Sequence, residues 1–299
     1  MRIESMIVGI DLTDTASKAA TWAARHFAPA AGVTLVHVID PPRRPRFARA
    51  LIPAPEEIEA EEREYARRQL GVIARTIGRE PRCEIRVGKA HQVLTNLVDE
   101  IGADLIVVGP HGDRREPSRF LGTTAERIVR TSAVPVLVVA NARASHPRRL
   151  LVPVDDASIT PTLLEWARDL AEAFDADVKL LHVWSNALYS HVASMSFATE
   201  PSEAAARVEI SKELHDSGKH WLDELARTGL ASKRVTSAVS YGNPGNVALE
   251  VATAMQAELI VLGRHGSGLV GPALLGSTVR TVLHGATCPV LVITETPES

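Results

Sequence analysis

Two segments of the chain carry the same glycine signature, and that duplication constrains the fold more than any other feature. The first is Gly109-Pro110-His111-Gly112, then nine residues, then Gly122-Thr123-Thr124. The second is Gly263-Arg264-His265-Gly266, then nine residues, then Gly276-Ser277-Thr278. Each follows an apolar run, Leu105-Ile106-Val107-Val108 or Leu259-Ile260-Val261-Leu262, and each precedes a helical pattern. A glycine loop between a strand and a helix start can cradle an anion. Glycine lets the backbone approach closely, and the first N–H groups of the helix point outward.

The echo runs along the whole chain. Val8-Gly9-Ile10-Asp11 returns as Val152-Pro153-Val154-Asp155, 144 residues later. Leu35-Val36-His37-Val38 returns as Leu180-Leu181-His182-Val183, and Val134-Pro135-Val136-Leu137 as Cys288-Pro289-Val290-Leu291. At the glycine loops the offset has grown to 154, so the second copy holds about ten extra residues between His182 and Gly263. A chain of 299 residues accommodates two such copies, each large enough for its own core. The expected domains are 1–142 and 148–299. They are joined by the link Asn141–Arg149, which has Pro147 and no apolar periodicity.

The net charge of −3 offers no global field to attract nucleic acid or an anionic membrane. No apolar run approaches the ~18 residues needed to span a bilayer. The first residues, Met1 to Ser5, lack a signal-peptide pattern. Cys83 and Cys288 sit at non-equivalent places in the two copies. Both read as buried thiols in a reducing compartment, and the expected location is the cytoplasm.

Within the first copy, strands are expected at 3–10, 33–39, 82–87, 104–108 and 134–139, with helices at 15–30, 56–77, 91–101 and 123–131. The second copy repeats this order. Strands alternating with helices imply a parallel sheet covered on both faces. Pro153 conflicts with a central strand, and an early exit from the ladder would accommodate it. The stretch Pro41–Pro55, with Arg43, Arg44 and Arg46, reads as a solvated surface loop beside a highly charged helix.

In open parallel sheets ligands sit beyond the carboxyl ends of the strands, where the strand order reverses. Asp11 and Asp155 end the first strands, and the glycine loops follow the fourth. Thr123, Thr124, Ser277 and Thr278 add hydroxyls at the next helix start. These groups suit a nucleotide with its phosphates on the loop. Plainer readings stand beside this one: Asp11 as a helix cap, Thr123 and Ser277 as N-caps, the loops as tight turns. His111 and His265 occupy equal places in the loops, where bonding to the backbone is the plainer role. His37 and His182 read as satisfied core or rim residues. The histidines are dispersed, so no metal cluster is expected, and no pattern suggests a nucleophile. Arg114, Arg115 and Arg119 lie in the first loop, against Ser267, Gly268 and Pro272 in the second, so the two sites should differ electrostatically.

The combination resembles the universal stress protein family: Gly-x2-Gly-x9-Gly-(Ser/Thr), a strand-end aspartate, His-Val on the second strand and a Val/Cys-Pro-Val-Leu-Val last strand. The chain looks like a tandem member, with the resemblance covering nearly its whole length. The resemblance implies two flavodoxin-like (Rossmann-like) domains. Each would be a five-stranded parallel sheet with helices on both faces, and the two would pack through their last strands as an intramolecular pseudo-dimer. A further homodimer of chains is compatible with it. It also implies ATP or ADP at the switch point, with Mg2+ as an optional companion. Asp11 and Asp155 would approach the ribose or phosphates, and the backbone of Val38 and Val183 the adenine. Gly109, Gly112, Gly122 and Thr123 would hold phosphates in the first copy, and Gly263, Gly266, Gly276 and Ser277 in the second. His111, Thr124, His265 and Thr278 are further candidate cofactor-binding residues of the two loops. The family often has another hydroxyl three residues after the last glycine, where this chain has Ala125 and Val279.

The expected function is a cytoplasmic stress-response protein that binds an adenine nucleotide in one or both domains and acts on an unknown protein partner. Two alternatives stand beside it. One is an interaction scaffold whose loops are only turns. The other is a slow ATP-hydrolysing or nucleotidyl-transferring enzyme, with the insertion around 185–202, including Tyr189, His191, Met195 and Phe197, lining a second pocket.

Overall fold

The computed structural model describes residues 3–40, 55–78, 80–110, 122–141, 145–184, 201–230, 234–265 and 275–294. The chain forms two compact units that divide between His146 and Pro147.

The first unit holds the strands β1 (Ser5–Gly9), β2 (Gly32–Ile39), β3 (Arg82–Val87), β4 (Leu105–Val108) and β5 (Val136–Val138). All pair in parallel, in the order β3-β2-β1-β4-β5. Its helices are α1 (Asp14–Trp22), α2 (Pro55–Ile77), α3 (Ala90–Ile101) and α4 (Thr123–Thr131). Helices α1 and α2 pack together, as do α3 and α4. A sheet covered on both faces needs uninterrupted apolar strands. Met6, Ile7 and Val8 of β1 and Leu105, Ile106 and Val107 of β4 are accordingly fully buried.

The second unit repeats the plan with β6 (Arg149–Pro153), β7 (Asp177–Trp184), β8 (Val235–Tyr241), β9 (Leu259–Gly263) and β10 (Val290–Ile293). Their order is β8-β7-β6-β9-β10, again all parallel. Its helices are α5 (Thr160–Phe174), α6 (Pro201–Leu225), α7 (Pro244–Ala254) and α8 (Ser277–Gly285). In both units the order reverses between the first and fourth strands, which opens a crevice at their carboxyl ends.

Local chemistry sets the boundaries. Helix α1 starts because the Thr13 hydroxyl accepts the Ala16 N–H at 3.2 Å. Helix α7 starts at Pro244 because the Asn243 side chain accepts the N–H groups of Gly245 and Asn246, each at 3.1 Å. Helix α3 ends on Gly102 in the left-handed conformation. The single helix expected over 15–30 is two pieces. Regular α-helix stops at Trp22, and a wider π-helical turn continues through Phe27. The strand expected over 134–139 shortens to three residues. Pro135, lacking an N–H, contributes only its carbonyl, which accepts from Ile106.

Pro153 ends β6. Val154 donates its N–H to Leu181 on β7. By alternation, position 153 faces β9, where proline has nothing to donate. The β6–β9 ladder accordingly covers only Leu150 and Leu151, whereas β1 pairs with β4 at three positions. Within the described part of the link, Trp22 Nε1 donates to the Ser145 carbonyl at 3.2 Å, and His146 Nδ1 to that of His26 at 2.7 Å.

One expectation is corrected. Cys288 is buried, but Cys83 is exposed. It lies on β3, the outermost strand of its unit's sheet, where one flank has no neighbouring strand within the unit. Among the described residues no helix is long and apolar enough to cross a membrane. The stretch 41–54, the arginines 114, 115 and 119, and the insertion 185–200 lie outside the described residues.

Candidate functional site

In the second unit the carboxyl ends of the strands open into a cavity of about 750 Å³. That volume is in the range of small-molecule sites. Asp155, Val183, Gly263, His265, Gly276, Ser277 and Thr278 all line it. These residues come from the ends of β6, β7 and β9 and from the start of α8, so the fold gathers positions spread over more than a hundred residues. Gly266 lies outside the described residues.

One end of the cavity is a helix start. The N-cap of α8 is Gly276, with φ −57° and ψ 145°, and no side chain caps the helix. Ser277 is therefore the first helical residue, not the cap. In the first unit Gly122 caps α4 in the same way, with no side-chain bond, and Thr123 follows it. The reading of Thr123 and Ser277 as N-caps is overturned by this geometry. A bare glycine cap leaves the first N–H groups of each helix without a partner in the helix, and the helix dipole makes that end favourable for an anion.

Each loop is closed by a matching bond. The Gly276 N–H donates to the Arg264 carbonyl at 3.4 Å, and the Gly122 N–H to the Pro110 carbonyl at 2.7 Å. A Cβ on Gly263 would lie 2.7 Å from Ile159 Cγ2, so the close passage of the end of β9 past the residue before α5 needs glycine. His265 Nε2 accepts from Arg264 Nε at 3.2 Å. His111 and Gly112 lie outside the described residues, while Gly109 follows β4 as expected.

The other end is aromatic. His182, Trp184 and Trp221 line the cavity together. The His182 ring meets Trp184 at 4.8 Å between centroids and Trp221 at 5.2 Å, both nearly edge to face. This arrangement is favoured by the ring quadrupoles. His182 Nδ1 donates to the Val154 carbonyl at 3.0 Å, as His37 Nδ1 does to Ile10 at 2.7 Å. Both histidines are thus satisfied rim residues. Sequence reasoning missed Trp184 and Trp221. For Trp184 the signal was available, because it occupies the place of Ile39 in the first copy, two residues beyond the shared histidine.

The two aspartates behave differently. Asp11 Oδ1 accepts the Thr13 N–H at 2.9 Å and the Thr13 hydroxyl at 2.5 Å. It therefore buttresses the residue that caps α1. Asp155 stands on the cavity wall, and its carbonyl accepts the Thr160 hydroxyl at 2.6 Å. Val38 is half-buried beside His37 at the end of β2, as Val183 is beside His182. Among the described residues no group of three His, Cys, Asp or Glu side chains could hold a metal ion.

The sequence model of the universal stress protein family matches residues 2–140 and again 146–294. A universal stress protein of Mycolicibacterium smegmatis is 29% identical over 302 residues, covering 96% of each chain. One of Mycobacterium tuberculosis is 26% identical over 302 residues, covering 97% of this chain and 96% of its own. The crystal structure of a universal stress protein from Archaeoglobus fulgidus superposes with a TM-score of 0.67 at 19% identity, covering all of this chain and 98% of its own. With two family domains in line and relatives matched along nearly their whole length, the chain belongs to the universal stress protein family as a tandem two-domain member.

Proposed function

We propose that the protein binds an adenine nucleotide, ATP or ADP, in the second unit's cavity and acts as a nucleotide-dependent regulator in the cytoplasm. One observation carries this reading. A single cavity of about 750 Å³ has a side-chain-free helix start at one end and an aromatic cluster at the other. A nucleotide has the same two-ended chemistry. Its phosphates would take the first N–H groups of α8 with the hydroxyls of Ser277 and Thr278. Its base would lie toward Val183 and the tryptophans, and its ribose near Asp155. A divalent cation on the phosphates would offset repulsion from Asp155 and Asp156, which share the wall. The duplicated loop at Gly109 and Gly122 makes the first unit a second candidate of the same kind.

Heat extraction of purified protein followed by chromatography, and calorimetric titration of the emptied protein with ATP and Mg2+, test the proposal. Bound nucleotide or a saturable heat near one or two per chain is the expected result. Neither signal would overturn it and leave the loops as turns.

A further inference from the structure

The repeats are unequal at the end of the cavity opposite the helix start. Trp184 has Ile39 as its counterpart at the end of the second strand. Aligning the buried Leu222 of α6 with the buried Leu70 of α2 sets Gly218 against Ala66 and Trp221 against Gln69. The burial pattern agrees along this stretch: 66 and 70 are buried with 69 between them half-buried, as are 218, 222 and 221.

The substitutions are coupled in size. A Cβ on Gly218 would fall 3.3 Å from Trp184 Nε1 and 3.4 Å from its Cζ2, so the bare glycine gives the indole its seat. In the first unit the counterparts are a smaller Ile39, only 1% exposed, and a fully buried Ala66. The first unit thus fills this position with core. The second keeps two half-buried indoles on the cavity wall.

We infer that Trp184 and Trp221, seated by Gly218, make the second repeat a base-stacking site, selective for ligands with a flat heteroaromatic end, and that the first repeat lacks this selectivity. The inference rests on the nucleotide reading of the cavity. Indole faces stack on any nucleobase with little regard to its hydrogen-bonding edge. The second site therefore separates nucleotides from bare polyphosphates more sharply than it separates one base from another.

The test titrates the full chain calorimetrically with ATP, GTP and inorganic tripolyphosphate, as wild type, Trp221→Leu and Trp221→Phe. Leucine at 221 should weaken one ATP site by roughly 10- to 100-fold, the size of a lost base–aromatic stack. Phenylalanine should restore most of the affinity, GTP should follow ATP within a few-fold, and tripolyphosphate should bind all three proteins alike. Unchanged ATP binding in Trp221→Leu would overturn the inference and leave the nucleotide reading intact. An equal loss for tripolyphosphate would also overturn it, marking Trp221 as a packing residue. A wild-type protein that binds no nucleotide removes the nucleotide reading itself, and the inference with it.

Discussion

His182 Nδ1 lies 3.0 Å from the carbonyl oxygen of Val154, the residue immediately before Asp155. A carbonyl can only accept, so a proton sits on Nδ1. The same bond joins His37 to Ile10 at 2.7 Å. In both units a histidine on the second strand fixes the end of the first, where an aspartate follows. Among the described residues, only in the second unit do tryptophans flank that histidine.

His182→Ala should therefore destabilise the protein more than His37→Ala. Each loses one hydrogen bond to a part-buried carbonyl, worth about 1 kcal/mol. His182 also gives up two aromatic contacts, each worth about 0.5–1.5 kcal/mol. Chemical denaturation of the two variants compares them directly. A larger midpoint shift for His37→Ala would contradict this account.

Gly276→Val should abolish nucleotide binding in the second unit with little change in fold. The backbone there is extended, and a Cβ meets nothing closer than the Arg264 carbonyl at 3.4 Å. The branched side chain would instead stand over the first N–H groups of α8, where phosphates are proposed to sit. Calorimetry should lose one binding site while circular dichroism is retained. Undiminished binding of both nucleotides would move the phosphates elsewhere.

How much of this was legible in the sequence follows from which residues act locally. The repeat located both crevices, because apolar runs, prolines and glycine loops act through the backbone of their own segment. The helix over Thr123–Thr131 and the strand over Arg82–Val87 were readable to the residue for that reason. The role of Asp11 stayed open because two bonding schemes suit the same side chain. The structure assigns the cap to Thr13 and the buttress to Asp11. Trp221 was invisible as a wall residue because its neighbours Trp184 and His182 come from a strand about 40 positions earlier, with an insertion between. Cys83 was misjudged because cysteine usually buries, and the outermost place of β3 depends on pairing among all five strands.

Two glycine-to-alanine changes should have opposite signs. A Cβ on Gly245 in α7 would lie 2.5 Å from Thr281 Cβ, and 2.8 Å from Thr281 Cγ2, on α8. The helices would have to part, and overpacking of this kind costs about 1–3 kcal/mol. On α2 the nearest atom to a Cβ at Gly71 is the Arg75 guanidinium at 3.8 Å. Alanine there should gain up to about 1 kcal/mol from helix propensity. Thermal denaturation should lower the midpoint for Gly245→Ala and raise it for Gly71→Ala. Matching shifts would mean that the α7–α8 contact is looser than it stands here.

Acid should weaken the first unit through two histidines. Burial holds the His26 imidazole below its ordinary value, helped by the facing charges of His146 and Arg25. Burial does the same for His91, with Arg127, Arg130 and Lys89 adding repulsion. His91 also sits in the first turn of α3, where the helix dipole disfavours a cation. Below about pH 6.5 the unfolded chain binds these protons before the folded chain does. The stability they contribute is complete above that value and declines as the pH falls toward the lowered folded values. Denaturation midpoints at pH 7.5 and 5.5 should therefore differ less in His91→Gln than in wild type, since glutamine removes one of the two titrations. An equal or greater acid loss in the variant would assign the effect to other groups.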